Sequence, residues 1–155
     1  MVVSMPSTCI VGLGSPNGDD QFGWLVVERL TLEINQSRLP AVITRRATTP
    51  AQLLDWLDGI DRMLLIDACR GQTSPDDLLR LEWPAPGIEK IRGSGSHDYT
   101  VWQTLELASR LGSIPRHCHL WCAAGQQFDP GQQLSPSLLA LVPRVVDDVI
   151  GWLTK

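Results

Sequence analysis

Three separate stretches of the chain carry side chains able to hold a metal ion or move a proton. GLGSPNGDDQFG contains Asp19 and Asp20, LLIDACRG contains Asp67, and GSGSHD contains His97. Two carboxylates and one imidazole suit a borderline divalent cation such as zinc, nickel or cadmium, with positions left open for another ligand. The same groups can act as general acid or base, so Asp20, Asp67 and His97 are candidates for both metal binding and catalysis. Asp19 competes with Asp20 for the inward position. The plainer alternative has the paired aspartates capping a helix, Asp67 solvating a strand end and His97 capping the next helix. Three independent loops offering compatible ligands at one predicted edge weigh against it.

Other chemistries fit less well. The first glycine-rich loop could cradle a phosphate at a helix start, but it has neither GxGxxG spacing nor a Walker lysine, and adjacent aspartates would repel a polyphosphate. Cys118-His119-Leu120-Trp121-Cys122, preceded by His117, invites a zinc reading. In a strand these side chains alternate between faces, so four ligands cannot converge. No GxSxG nucleophile elbow is present, and Cys69 would need His97 folded over it to form a dyad. The six tryptophans read as core and rim residues.

The elements that must position these groups follow from the hydrophobic pattern. Thr8 to Val11 is a buried strand entering a tight loop at Gly12 and Gly14. Phe22, Leu25, Val26 and Leu30 recur at helical spacing, with Asp19 or Asp20 as cap. Ala41 to Ile43 reads as a second strand, and Thr49-Pro50-Ala51-Gln52 opens a helix reaching Gly59. Met63 to Ile66 is a continuous apolar run, as in a strand buried on both faces, with Asp67 at its carboxyl end. Leu78 to Trp83 is a strand near an edge, closed by Pro84 and Pro86. Val101, Leu105, Ala108 and Leu111 mark one face of a helix ended by Gly112 and Pro115, with His97 at its entrance. His117 to Ala123 is the last strand, and Ser135-Pro136 opens a final helix that Pro143 kinks or splits.

The order β-α-β-α-β-β-α-β-α implies an α/β fold of three layers, α/β/α, around a twisted, mostly parallel five-stranded sheet. Such sheets bind ligands outside the carboxyl ends of their strands, where the three loops should meet. The 155 residues suit a single domain spanning 1–155. Thirteen basic against seventeen acidic residues give a net charge of -4, so no positive field favours nucleic acid. The start has no basic leader and no run approaches a membrane span, which predicts a cytoplasmic protein. Four cysteines, Cys9, Cys69, Cys118 and Cys122, are expected as buried free thiols.

Taken in order, GLGSPNGDDQFG, TTPAQLLDWL, LLIDACRG, SGSHD and LSPSLLALVP make the chain resemble the endopeptidases that mature the large subunit of nickel-iron hydrogenases. The resemblance spans nearly the whole chain. It implies a twisted sheet flanked by helices of the phosphorylase/hydrolase-like kind, and metal ligands at Asp20, Asp67 and His97. It further implies no tightly bound cofactor. Nickel would be recognised where it already sits in the precursor, with zinc or cadmium able to occupy the site in vitro. The partner would be a hydrogenase large-subunit precursor that loses a short carboxyl-terminal extension, and the protein would be a monomer. Ser15 stands where the family commonly has asparagine, the stretch from Ser15 to Gly18 is one residue short, and Ala123 to Gln127 lacks the family's glycine-then-acid pattern.

Two other readings compete. One is a non-catalytic module that docks on a metallated partner. The other is a peptidyl-tRNA hydrolase, similar at IVGLGSP, but its histidine follows soon after the first loop and it needs a basic surface.

Overall fold

The computed structural model describes residues 7–37, 42–70, 78–84 and 100–155. Five strands, β1 (Ser7–Leu13), β2 (Val42–Ala47), β3 (Ile60–Arg70), β4 (Leu78–Glu82) and β5 (His117–Gly125), form one sheet in the order β2-β1-β3-β5-β4. Four are parallel, and β4 lies antiparallel on the β5 edge. This is the expected α/β architecture with a mostly parallel five-stranded sheet.

Strand side chains alternate, so each strand feeds two cores. Ile10, Leu64, Ile66, Ala68, Trp121 and Ala123 pack against helices α1 (Phe22–Gln36) and α3 (Pro136–Leu153). Cys9, Val11, Met63, Leu65, Cys118 and Leu120 pack on the opposite face, against a 3-10 helix (Pro50–Trp56) and helix α2 (Val101–Arg110). Phe22, Val26 and Leu30 are fully buried in α1, and truncating a residue such as Phe22 to alanine costs about 3–5 kcal/mol. At Gly12 and Gly23, α1 meets β1 backbone on backbone. A Cβ on Gly12 would lie 2.2 Å from the Gly23 carbonyl oxygen, and one on Gly23 would lie 2.4 Å from that of Ile66.

Several local expectations are revised. Neither Asp19 nor Asp20 caps α1: both sit inside a 3-10 turn, Gly18–Gln21, and the N-cap of α1 is Gln21 with no side-chain cap bond. The segment after Thr49 does cap as expected, with Gln52 Oε1 accepting from the backbone N–H of Thr49 at 3.1 Å. It winds as a 3-10 helix, in which Leu53 and Trp56, three residues apart, share the core-facing side. β2 continues past Ile43 to Ala47, and β3 runs three residues beyond Asp67, to Arg70.

α2 starts from Thr100, whose hydroxyl accepts from the Gln103 N–H at 3.1 Å. Leu111 lies past its end and is 64% exposed, so it is not part of the buried face. α3 is continuous through Pro143 rather than split. Pro143 and Leu139 are both exposed, so the Leu139 carbonyl that loses its helical donor is left on the solvent side. Ala41, Pro86 and the GSGSHD segment with His97 lie outside the described residues. No helix among the described residues is long and apolar enough to cross a membrane.

Candidate active site

From β1 the chain passes through α1 on one face to β2 on one side, then returns through the 3-10 helix on the other face to β3 on the opposite side. Strand order therefore reverses between β1 and β3. The connections leave on opposite faces there, the point at which open α/β sheets bind ligands beyond the carboxyl ends of their strands. Asp20 follows β1 and Asp67 lies on β3, so they flank this point.

Asp67 sits at a step in the sheet edge. The β1–β3 pairing ends at Gly12 with Ile66, one residue earlier, while the β3–β5 pairing continues through Asp67 with Cys122 to Arg70 with Gly125. On the β1 side the carboxylate has lost its neighbouring strand. The 3-10 turn carrying Asp20 packs against β3 there.

Asp67 is 7% exposed and accepts from the Ala68 backbone N–H at 2.8 Å. Burial, reinforced by the negative charge of Asp20, raises its pKa well above the usual carboxylate value. Asp20 itself is 8% exposed. Its backbone is fixed by N–H donation to Asn17 O at 3.0 Å and by its own carbonyl, which accepts from Ser15 at 3.1 Å.

Asp19 has a different environment. Its carboxylate accepts from the backbone N–H groups of Gln126 at 2.7 Å, Gln127 at 3.1 Å and Ser135 at 2.7 Å. Burial alone would raise its pKa, but these backbone donors together bring it below the usual value. Asp19 thus ties the loop after β5, and the start of α3, to the loop after β1. Sequence inspection missed this role, because the donors lie more than a hundred residues away. The acceptor capacity of a second adjacent aspartate was the only local hint.

His97 lies outside the described residues. Among the described residues no three histidine, cysteine, aspartate or glutamate side chains converge as a metal-binding group. The structure thus brings together two of the three sequence candidates, Asp20 and Asp67.

All four thiols are free and buried. Burial pushes Cys9 up to about 11 and Cys118 up to about 12. Cys69 is fully buried in the α2-side core. Cys122, a partner of Asp67 in the β3–β5 register, is held well above the thiol range by its hydrogen bond with Cys69 and by burial. Cys118 faces the α2-side core, whereas His119 meets Trp152 of α3 edge-on with ring centroids 5.5 Å apart. The Cys118 to Cys122 segment therefore does not gather a zinc ion.

No protein-family model matches the chain, and no curated protein matches it. Solved structures do share its fold. A hydrogenase maturating endopeptidase, HybD, from E. coli matches with a TM-score of 0.75 and 17% identity over 96% of this chain and 92% of that one. A [NiFe] hydrogenase maturation protease, HybD, from Thermococcus kodakarensis matches with a TM-score of 0.71 and 19% identity over 95% and 99%. The maturation protease HycI from the same organism gives 0.72 and 16% over 96% and 93%.

Proposed function

We propose that the chain is an endopeptidase of [NiFe]-hydrogenase maturation, removing the carboxyl-terminal extension from a nickel-loaded large-subunit precursor as a monomer in the cytoplasm. The observation that carries this reading is the Asp20–Asp67 pair at the β1–β3 switch point, in a fold shared with solved maturation endopeptidases.

Two carboxylates that repel each other in a buried crevice are stabilised by an arriving cation. Nickel held by the precursor is such a cation, and here it is part of the substrate. Asp20 and Asp67, with His97 as the third ligand, would engage it and so hold the adjoining peptide bond in a fixed place. The cation would then polarise the scissile carbonyl or a water, and a carboxylate oxygen of Asp20 or Asp67 left off the cation would act as general base. Asp19 holds the loop after β5 against the Asp20 turn while this happens.

The test is the intact mass of a nickel-loaded large-subunit precursor before and after incubation with the protein, alongside metal-free precursor. Loss of a carboxyl-terminal peptide only from the nickel-loaded sample is expected. Cleavage of both samples would discard the nickel-sensing role of Asp20, Asp67 and His97, and cleavage of neither would discard the peptidase.

A further inference from the structure

Beside the carboxylate pair lies a cation that the chemistry above does not use. Arg46, on the edge strand β2, is exposed, with its guanidinium carbon 4.1 Å from the centroid of the Trp24 ring. Trp24 is itself fixed, because its indole N–H donates to the Ala47 carbonyl at 3.0 Å. Trp24 also abuts the Asp20 loop: a Cβ on Gly14 would meet Trp24 Cδ1 at 3.5 Å and the Asp20 carbonyl oxygen at 2.1 Å. Arg46, Gly12 and Ile66 lie in one row across three strands, and Asp67 is the next residue along β3.

Two strand spacings put the backbones of Arg46 and Ile66 about 10 Å apart, and because Arg46 lies on the α1 face while Asp67 alternates to the other, a substrate segment joining the two must pass over the carboxyl edge of the sheet. A guanidinium held over an indole by cation–π attraction keeps N–H donors for another group, and the ring limits the rotamer freedom lost when that group binds. No carboxylate among the described residues pairs with Arg46, in contrast to Arg29, Arg80, Arg110 and Arg116, each of which holds one. Arg46 is thus an oriented, unspent carboxylate receptor at the rim of a crevice whose own charges are negative.

We infer that Arg46, braced by Trp24, is a specificity-determining residue that binds a carboxylate of the substrate polypeptide several residues away from the bond held at Asp20 and Asp67. The inference rests on the endopeptidase reading. The carboxylate is either an acidic side chain of the precursor or the terminal carboxylate of its extension, and both make the same forked pair with a guanidinium.

The test measures binding and cleavage of the nickel-loaded precursor separately for the wild-type protein, Arg46→Ala, Arg46→Lys and, as a charge-matched control at the far end of the sheet, Arg116→Ala. Arg46→Ala should raise KM and Kd about tenfold with kcat nearly unchanged, as expected for one lost charge-assisted pair. Arg46→Lys should recover only part of the loss, and Arg116→Ala should behave as wild type. A precursor with neutralised acidic side chains near the cleavage site, or one with an amidated terminus, should erase the difference between wild type and Arg46→Ala; whichever does so identifies the source. Unchanged KM and Kd in a folded Arg46→Ala overturn the inference while leaving the peptidase intact. Wild-type binding without cleavage overturns the peptidase, and the comparison of Kd values then still decides the role of Arg46.

Discussion

Asp19 and Asp67 are both buried aspartates at the carboxyl edge of one sheet, yet their surroundings drive them in opposite directions. Asp19 is fully buried and receives three backbone N–H donors, so its charge is more stable inside the protein than in water. Asp67 receives one such donor and faces Asp20, so its charge is less stable than in water. Burial does not itself distinguish a structural carboxylate from a reactive one; the number of aimed donors does.

The sharpest way to break this contrast is activity. Asp67→Asn is expected to lower kcat/KM for precursor processing by about a thousandfold, while Asp19→Asn, assayed well below its melting temperature, stays within about tenfold of wild type. Equal losses in both folded variants would place Asp19 in the chemistry and end the distinction. Stability should move the other way. In urea unfolding Asp19→Asn is expected to lose about 2–4 kcal/mol, because at least one N–H is left facing an amide donor, and Asp67→Asn is expected to gain about 1 kcal/mol by removing an ill-placed charge. A destabilised Asp67→Asn would mean that this charge is well satisfied.

The pH dependence sharpens the same point. Asp19 has a lowered folded pKa, so its stabilisation is complete above the ordinary aspartate value of about 3.9 and disappears as pH falls through the folded value. Asp67 has a raised folded pKa, so its contribution is complete below that ordinary value and is lost as pH rises through the folded one. Unfolding free energies of wild type minus each asparagine variant, followed from acid to neutral pH, should therefore slope in opposite directions. Parallel slopes would refute the assignment. The smallest expected effect is on Asp67 in Asp20→Asn, read from its side-chain carboxyl resonance. Its pKa should fall but stay raised, since burial outweighs the Asp20 charge as a cause. An unmoved resonance would put Asp20 too far away to share a cation with Asp67.

Much of this edge is legible in the amino-acid order. The apolar runs of β1, β3 and β5 and the start of α3 at Ser135-Pro136 follow from one-dimensional pattern, whereas Gly12, expected in the loop after β1, is paired inside the strand, which runs on to Leu13. Asp67 is equally legible, since the apolar run stops there, though pairing with β5 carries the strand three residues further. What could not be read is which of two adjacent aspartates receives backbone donors. Those donors come from Gln126, Gln127 and Ser135, and only the folded sheet brings them to Asp19. Nor does the order reveal that Arg46 lies over Trp24, which needs the β1–β2 register and the first turn of α1 together. The winding of 50–56 was ambiguous for a different reason: Thr49, Pro50 and Gln52 start a 3-10 helix as readily as an α-helix.

The backbone-on-backbone contact of Gly12 with Gly23 and of Gly23 with Ile66 leaves the joint between β1, α1 and β3 without compressible material. Asp20 and Asp67 stand on either side of that joint, so the spacing between their backbones is set by packed peptide groups. On the endopeptidase reading, a site mounted this way would work as a fixed gauge, admitting a metal-bearing substrate of matching reach and yielding little to a poorly fitting one.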